Sequence, residues 1–348
     1  NRYIAGSGWG TPQVIYPGVG FRVNWPQLGV DANGNAIVVW ELIDDPYDPL
    51  PDIWSVSYST STGWGTAAGI SNDTGAYDSS SPKLAVAGNG TAVAIWTQGN
   101  GTSVGNILMA TGSTGSGWGS PALLATAANS QVGGPDAVLN ATGNGIATWS
   151  QWGGSNFTLR AALISSGTAG TAQAISTNTG TLVNPHIAVN AGGTAVAIWG
   201  QLNGSRFEIT SNRFVPGTGW GSPTQVNNPG YPVFNQTPDP QIHLDDAGIA
   251  TALWVESNGA SAPKFWNQQS ATGWGSPGLI SYSSSNYRMA GNGAGQILGA
   301  RFSGQNLYAS PAYLVNTADW GAGTLLTSTG NIPMELAMGA NGTGLAVW

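Results

Sequence analysis

Short runs in which apolar and polar residues alternate recur along the whole chain in one fixed order. In the clearest copy, a Gly-Trp-Gly triplet at 63–65 leads to Ile70, a Pro-led run at 82–86, a Gly-Asn-Gly turn at 88–90 and an apolar run at 92–96. Alternation with period two, bounded by Gly, Asn and Pro, predicts β-strands joined by tight hairpins. The chain is therefore predicted to repeat one small all-β unit.

Two signatures of this unit each occur seven times. The Gly-Trp-Gly triplet or a relative lies at Trp9, Trp64, Trp118, Trp220, Trp274 and Trp320, with a degraded copy at 167–170. An apolar strand closing in Trp ends at Trp40, Trp96, Trp149, Trp199, Trp254 and Trp348, with a degraded copy at 297–299. The spacing of about 45–55 residues is that of four-stranded propeller blades. We predict an all-β, seven-bladed β-propeller of four-stranded antiparallel blades, forming a single domain over 1–348.

The two ends of the chain supply complementary halves of a blade. The chain starts with strands of the third and fourth type, at 2–5 and 9–15, and ends with strands of the first and second type, at 334–338 and 345–348. We predict that both termini, with two strands each, close the last blade, which removes two open sheet edges.

Composition narrows the class of protein. Only 7% of the 348 residues are charged, yet 41% are hydrophobic and 16 are Trp, which favours a packed protein with an uncharged polar surface over a disordered chain. Nine Lys and Arg against sixteen Asp and Glu argue against a nucleic-acid partner, and the absence of Cys excludes disulfides and thiolate metal sites. No apolar run is long enough for membrane insertion, and no signal segment opens the chain. We expect a mature, secreted bacterial protein associated with the cell surface.

Up-and-down connectivity places short turns on one face of the propeller and longer, variable loops on the other. Binding residues are expected on the variable face, since such loops are held by a rigid scaffold. Trp25 and Trp152 lie in or next to these loops, outside the two repeated Trp positions that packing between blades explains. Each is a candidate platform for a sugar ring, with a packing role as the alternative.

One position of the first strand is polar in every repeat. Alignment on the turns brings together Gln27, Lys83, Asp136, His186, Gln241, Asn286 and Glu335. These side chains are predicted to ring the variable-face mouth of the central channel, as ligand-binding groups or as residues of a wet channel. Two positions further on, His243 and Arg288 are expected to form one asymmetric polar pocket.

The loop at 41–52 is rich in carboxylates. Asp44, Asp45 and Asp48 are weak candidates for calcium ligands, because hard cations prefer clustered oxygens. The spacing is not that of an EF-hand, and a solvated acidic loop is the alternative. No other cofactor is indicated.

The chain lacks an HExxH helix and a P-loop, and the GxSxG pattern occurs once, at 101–105, without the strand-to-helix context of a nucleophile elbow, so no catalytic motif is indicated. A glycosidase needs only two carboxylates at a suitable separation, so Asp136 and Glu335 could face each other across the channel. Nothing in the sequence favours that pair over another.

The order of the Gly-Trp-Gly triplet, Pro-led strand, Asx-x-x-Gly turn and Trp-ended strand resembles the repeat of secreted bacterial β-propellers. The resemblance implies a plan similar to that of propeller lectins, which bind sugars. A weaker resemblance is to sialidase-like Asp-box propellers, through the turns at 31–34 and 245–248 and the Phe-Arg-Val at 21–23. The full Asp-box spacing is not kept, so no catalytic residue is carried over.

These observations lead us to expect a non-enzymatic, extracellular carbohydrate-binding or adhesive propeller whose partner is a glycan or cell-surface polysaccharide. One alternative is a glycan-cleaving enzyme with its site at the mouth of the central channel. Another is a structural subunit of an extracellular assembly, with protein partners on its loops.

Overall fold

The computed structural model describes residues 2–4, 8–18, 22–43, 50–71, 78–99, 105–126, 132–177, 180–228, 238–256, 263–270, 273–281, 287–303, 306–312, 324–327, 335–340, 342 and 344–347. All regular structure in this part of the chain is β-strand. None of it is a helix that could cross a membrane.

The strands form antiparallel sheets that follow one another along the chain. A two-stranded sheet contains β1 (Tyr3–Ile4) and β2 (Gly8–Trp9). The first large sheet contains β3 (Arg22–Val30), β4 (Ala36–Ile43), β5 (Asp52–Ser59), β6 (Gly63–Trp64) and β7 (Ala68–Gly69). The second contains β8 (Asp78–Val86), β9 (Thr91–Gly99), β10 (Asn106–Ser113), β11 (Gly117–Trp118) and β12 (Ala122–Thr126). The third contains β13 (Val132–Leu139), β14 (Gly145–Trp152), β15 (Phe157–Ser165), β16 (Thr168–Ala169) and β17 (Gln173–Ala174).

The remaining sheets repeat this plan. The fourth large sheet contains β18 (Leu182–Val189), β19 (Ala195–Asn203), β20 (Arg206–Val215), β21 (Gly219–Trp220) and β22 (Thr224–Gln225). The fifth contains β23 (Gln241–Leu244), β24 (Ala250–Val255), β25 (Lys264–Ser270), β26 (Gly273–Trp274) and β27 (Gly278–Ser281). The sixth contains β28 (Tyr287–Gly291), β29 (Ile297–Ser303), β30 (Asn306–Ala312) and β31 (Thr324–Thr327), and a last two-stranded sheet contains β32 (Glu335–Met338) and β33 (Gly344–Val347).

The first strands of successive sheets contact one another in the order β3, β8, β13, β18, β23, β28 and β32. Within each large sheet the later strands follow outward by hairpin pairing. Sheets that meet at their first strands and fan outward form a propeller, so the predicted all-β, antiparallel propeller architecture is confirmed.

A Trp near the end of the second strand is the largest fully buried side chain in four of the sheets. Trp96, Trp149, Trp199 and Trp254 are at most 1% exposed. Trp96 packs in one cluster with Ile37 and Ile53 of the preceding sheet, so its ring fills the space between neighbouring sheets.

Two of these indoles donate to the side chain of the residue two places further along the chain. The Nε1 of Trp254 donates to Glu256 at 2.9 Å, and that of Trp199 donates to Gln201 at 3.3 Å. The recurring Gln or Glu after the Trp therefore has a structural role in these two sheets, because a buried N–H needs an acceptor.

A bulge bends the first strand at the end that faces the variable loops. Pairing with the second strand skips two residues in four sheets, between Asn24 and Gln27, Ser80 and Lys83, Gly133 and Asp136, and Val183 and His186. In each case the first skipped residue has a positive φ and the second is Pro. Because Pro has no N–H to give to the ladder, the break in pairing falls where the Pro stands.

We predict that Trp199→Ala lowers the free energy of unfolding by about 3–5 kcal/mol, because it empties a fully buried site between two sheets. Urea denaturation followed by circular dichroism measures the change. The matched control is Trp25→Ala, since Trp25 is 66% exposed, and a shift of at most about 0.5 kcal/mol is expected there. Equal losses for the two variants would contradict the packing role of Trp199.

Candidate functional site

The polar ring predicted from the turns is present as one register position. Each of its members pairs with the residue twelve positions later on the second strand: Lys83 with Ile95, Asp136 with Thr148, His186 with Ile198, and Gln241 with Leu253. Gln27 and Val39 occupy the same position in the first sheet, as do Glu335 and Val347 in the last.

The sixth sheet corrects the alignment. There Arg288 pairs with Ala300 and precedes the turn residue Asn292 by four positions, as His186 precedes Asn190. Arg288 is therefore the ring residue of this sheet. Asn286, which the sequence alignment chose, lies outside the described residues.

Four side chains from four neighbouring sheets meet at the variable-face end of the channel. His186 lies at the centre, with its Nδ1 3.7 Å from an oxygen of Asp136 and its Nε2 3.5 Å from an oxygen of Asp239. Arg288 approaches the other oxygen of Asp239 at 3.8 Å. We call Asp136, His186, Asp239 and Arg288 the mouth cluster.

The mouth cluster has a protonated centre and an accessible carboxylate. Desolvation by burial lowers the pKa of His186, but Asp136 and Asp239 outweigh it and raise the pKa to about 9. The contact with His186 lowers the pKa of Asp239, assisted by the charges of Arg288 and Lys83. The Asp239 side chain is 52% exposed, whereas that of Asp136 is 17% exposed. Asp239 is thus accessible to solvent, whereas Asp136 contacts the His186 imidazolium from a more buried position.

Asp239 was not among the predicted site residues, because only the polar ring position of each first strand was considered. Asp239 precedes Pro240, as Trp25 precedes Pro26 and Asn184 precedes Pro185 at the bulges. The signal was therefore present in the Pro-led pattern, since Asp239 stands directly before the Pro that precedes the ring residue Gln241.

Gln241 is fully engaged between two sheets. Its Nε2 donates to the backbone oxygen of Tyr287 at 2.8 Å, and its Oε1 accepts from the backbone N–H of Met289 at 2.9 Å. These bonds tie the fifth sheet to the sixth and hold β28 where Arg288 reaches Asp239.

A cavity of about 110 Å³ opens beside Asp239. Its lining includes Gln241, Lys264, Tyr287 and Arg288. Lys264 is only 2% exposed, and its ammonium lies 5.6 Å from the centre of the Tyr287 ring. Burial lowers the pKa of Lys264 to about 8.

The structure separates His243 from Arg288, which were expected to share a pocket. His243 lies near the short turns, where its Nε2 is 3.0 Å from the backbone oxygen of Asn292. It lines a different cavity, of about 550 Å³, together with turn residues such as Asn140 and Asn190. Desolvation lowers the pKa of His243, in contrast to His186.

The two candidate Trp residues have different surroundings. Trp25 is 66% exposed at the bulge of β3, with a φ of 50°. Trp152 is half-buried at the end of β14 and makes an edge contact with Phe157 of the next strand at 5.1 Å. Trp25 therefore has the exposure that a sugar platform needs, whereas Trp152 packs on its own hairpin.

Some predicted residues fall outside what the structure describes. Asp44, Asp45 and Asp48, the calcium candidates, lie in the undescribed segment 44–49, and the side chain of Glu335 is likewise undescribed. Within the described residues, no group of three or more His, Asp or Glu side chains is arranged to hold a metal ion.

Comparison with known proteins identifies relatives by structure. No family model matches the chain, and no curated protein sequence is significantly similar to it. An ulvan lyase of polysaccharide lyase family PL25 is similar in structure, with a TM-score of 0.56 and 13% identity over 84% of this chain and 81% of that one. The intramolecular trans-sialidase from Ruminococcus gnavus is similar with a TM-score of 0.52 and 10% identity, over 80% and 90% of the two chains. The chain is thus a β-propeller resembling the sialidase-type and polysaccharide lyase propellers.

These comparisons correct one prediction. The two solved propellers described above are enzymes that act on glycans, and this finding contradicts the expectation of a non-enzymatic carbohydrate-binding or adhesive module, which was wrong. That expectation rested on the lack of a local catalytic motif. A search for local motifs cannot detect side chains that meet only in the folded chain, and the members of the mouth cluster lie up to about 150 residues apart in the sequence.

We predict that the two histidines titrate far apart. In an NMR titration, His186 is expected to lose its proton near pH 9, because two carboxylates stabilise its charged form, and the pKa of His243 is expected to lie below the ordinary histidine value, because burial disfavours its charged form. Since the chain has two histidines, His243→Gln assigns both signals. A His186 signal that titrates near 6.5 would show that the two carboxylates do not stabilise the charged form of the ring.

The same shift predicts how stability depends on pH. A pKa that is raised on folding stabilises the protein fully below the unfolded value of about 6.5, and this stabilisation is lost as the pH rises through about 9. Because the side chain is 35% exposed, solvent screening limits the contribution to about 1–2 kcal/mol. Urea denaturation at pH 6 and pH 10 should show this loss in the wild type and a smaller one in His186→Gln.

Proposed function

We propose that this protein is a glycan-cleaving enzyme whose site is the mouth cluster at the variable-face end of the central channel. The observation that carries the proposal is His186, held between Asp136 and Asp239 at 3.7 and 3.5 Å. The likeness to propellers that act on glycans supports the choice of substrate class.

The cluster supplies the groups that glycosidic-bond cleavage requires. Hydrolysis needs one group that gives a proton to the leaving oxygen as the glycosidic C–O bond breaks. It needs a second group that takes a proton from the attacking water, or that itself attacks the anomeric carbon, so that a new bond forms there. His186 carries a proton at neutral pH because its pKa is raised to about 9. Asp239 is ionised and exposed, so it can act as the base or nucleophile.

The contacts around His186 suggest how the proton would be directed. Both His186 contacts are longer than ordinary hydrogen bonds, as is common for catalytic groups before substrate binds. Asp136 orients the ring through Nδ1. A substrate oxygen that enters beside Asp239 would then meet the proton on Nε2. In this proposal His186 and Asp239 take the roles for which the sequence offered Asp136 and Glu335.

An extracellular polysaccharide is the substrate that fits best with the composition. The chain has no Cys, only 7% charged residues and a net charge of −7, which suits an exported protein. We therefore propose that the enzyme acts outside the cell. Trp25, which stands directly before Pro26 as Asp239 stands directly before Pro240, would offer a stacking surface for a sugar ring.

We further propose that the propeller has seven blades and that the seventh is built from both termini. The first and last two-stranded sheets support this, since β32 packs beside β28 and Ile15 packs against Val38 and Trp40. In addition, Leu28 and Val30 of β3 are 66% and 52% exposed. Leu84 and Val86 occupy the equivalent positions of β8, where they pack against the preceding sheet. A seventh blade would cover that face.

The catalytic proposal predicts that the wild type releases reducing ends from at least one polysaccharide in a panel. His186→Gln and Asp239→Asn should each lower the rate by about a hundredfold or more, because general acid and base catalysis contribute about 10²–10⁴ in rate. A reducing-sugar assay measures the rate.

His243→Gln is the matched control, since it removes the other histidine at the opposite end of the channel. Its rate should stay within about twofold of the wild type. Cleavage that survives both cluster variants would refute the site, and absence of cleavage on every polysaccharide would refute the function.

The closure proposal predicts that Leu28→Ala lowers the free energy of unfolding by about 2 kcal/mol or more, because Leu28 would be buried against the seventh blade. Leu123→Ala is the control, as Leu123 is 56% exposed on β12, and it should change stability by at most about 0.5 kcal/mol. If both variants change the free energy of unfolding by the same small amount, no seventh blade covers this face of β3.

A further inference from the structure

Asp239 belongs to a short segment that precedes the first strand of its sheet. β23 begins at Gln241, and its pairing with β24 starts at that residue. Residues 238–240 lie before the strand, and within them Asp239 is exposed between two buried prolines. Since strand pairing does not include this segment, the 3.5 Å separation between Asp239 and His186 must be set by other contacts.

A side chain of the fourth sheet holds the segment next to Asp239. The Nδ2 of Asn184 donates to the backbone oxygen of Pro238 at 2.9 Å. Asn184 stands at the bulge of β18, two residues before His186, and Pro238 stands directly before Asp239. One hydrogen bond therefore joins the two pieces of chain that carry the histidine and the exposed carboxylate.

The backbone at this bulge does not by itself require an amide side chain. Asn184 has a φ of 46°, in the left-handed region that Asn adopts more readily than most other residues with a side chain. Trp25, Ser81 and Gly134 occupy the same bulge position in the first three sheets, also with positive φ. Since four different side chains suit this conformation, the contact with Pro238 is the feature that an Asn adds in the fourth sheet.

Gly200 gives the same segment room to approach. It pairs with Val183, directly beside the bulge of β18. A Cβ atom on Gly200 would overlap the Cγ of Pro238 and lie 2.7 Å from the Cγ2 of Val183. In the first three sheets the equivalent position carries a side chain, in Glu41, Thr97 and Ser150. The glycine of the fourth sheet thus lets Pro238 pack directly on the backbone of β19.

The other side of His186 has a similar contact between sheets. Pro185, directly before His186, packs on Gly134 of the third sheet, where an added Cβ atom would lie 3.1 Å from the Cδ of the proline. Gly134 stands two residues before Asp136. Contacts between the bulge of one sheet and the proline of the next therefore accompany both carboxylate contacts of the histidine.

We propose that Asn184 and Gly200 are positioning residues of the mouth cluster, which hold Asp239 against the fourth sheet and so fix its distance from His186. The proposal rests on the glycan-cleaving function proposed above and adds two residues that act through Asp239. A reacting group displaced by about 1 Å can lose about a hundredfold in rate, so this hold matters for cleavage.

The pKa of His186 reports the distance to Asp239 without any substrate. Asp136 and Asp239 are the groups that raise it, and Arg288 and Lys83 act on Asp239. Glu335, whose side chain lies outside the described residues, occupies the ring position of the last sheet. All of these groups stay in place in the two variants that test the proposal, so a change in the His186 pKa reports the position of Asp239.

The two variants act on Pro238 in different ways. Asn184→Gly removes the amide and keeps the positive φ, as Gly134 does in the third sheet, whereas Gly200→Ala crowds the proline ring. In an NMR titration each should lower the pKa of His186 by about 0.5–1, a part of the shift of about 1–3 that a nearby opposite charge produces. Each should also lower the rate in the reducing-sugar assay by about tenfold or more, because Asp239 leaves its place.

Asn190→Ala is the matched control. Asn190 follows the same strand, β18, and its Nδ2 donates to the backbone oxygen of Asp245 in the fifth sheet at 3.1 Å. The variant thus removes an amide contact between the same two sheets, at the short-turn end of the channel. The His186 pKa should stay at its wild-type value and the rate within about twofold of the wild type, since distant sites act independently.

The outcomes separate this proposal from the catalytic one. An unchanged His186 pKa in both test variants refutes the positioning role, as does an equal fall in Asn190→Ala or a full cleavage rate in variants whose His186 pKa has fallen. If His186→Gln abolishes cleavage while both test variants keep the wild-type pKa, the cleavage site stands and the positioning role fails. If the pKa falls as expected but the wild type cleaves no polysaccharide, the glycan-cleaving function fails and the hold on Asp239 remains.

Discussion

Packing of flat sheets around a common axis is the constraint on which the rest of the structure depends. Sheets that converge on an axis leave little room at the inner strands and wedge-shaped gaps further out. The buried Trp at the end of each second strand fills those gaps, as Trp96, Trp149, Trp199 and Trp254 do. Without disulfides, these interfaces and the hydrogen bonds between sheets are the main source of stability.

The same constraint creates the mouth of the channel. Inner strands that meet at the axis bring one register position of each sheet close to its neighbours, so residues distant in sequence become neighbours in space. The Pro-linked bulges then break the ladder just before this position. Gln241, bonded to the next sheet through both ends of its amide, shows how firmly the surrounding backbone is held. A rigid scaffold of this kind keeps charges at fixed separations, which is a condition for catalysis.

Concentrated charge in an almost uncharged protein distinguishes this end of the channel from the other. At the opposite end His243 contacts a backbone oxygen, and its pKa is lowered by desolvation. At the mouth, carboxylates on two sides raise the pKa of His186. The two histidines occupy first strands of adjacent sheets, yet their environments drive their pKa values in opposite directions.

The sequence by itself determined the repeat, the strand order and the ring position, because period-two alternation and Asx-Gly turns are local signals. It could therefore place His186 and Asp136 at one level of the channel. It misplaced the sixth ring residue by two positions. This repeat lacks the Pro that stands directly before the ring residue in five other repeats, and the pairing of Arg288 with Ala300 settles the register.

Only the tertiary structure decided which ring residues act together. Asp239, which lies just before the first strand of the fifth sheet, contacts His186 of the preceding sheet, and no periodicity encodes that contact. The raised pKa of His186 and the burial of Lys264 likewise depend on side chains from several sheets. Local pattern specifies the strands, whereas charge and desolvation at the site arise from contacts between strands that are far apart in the chain.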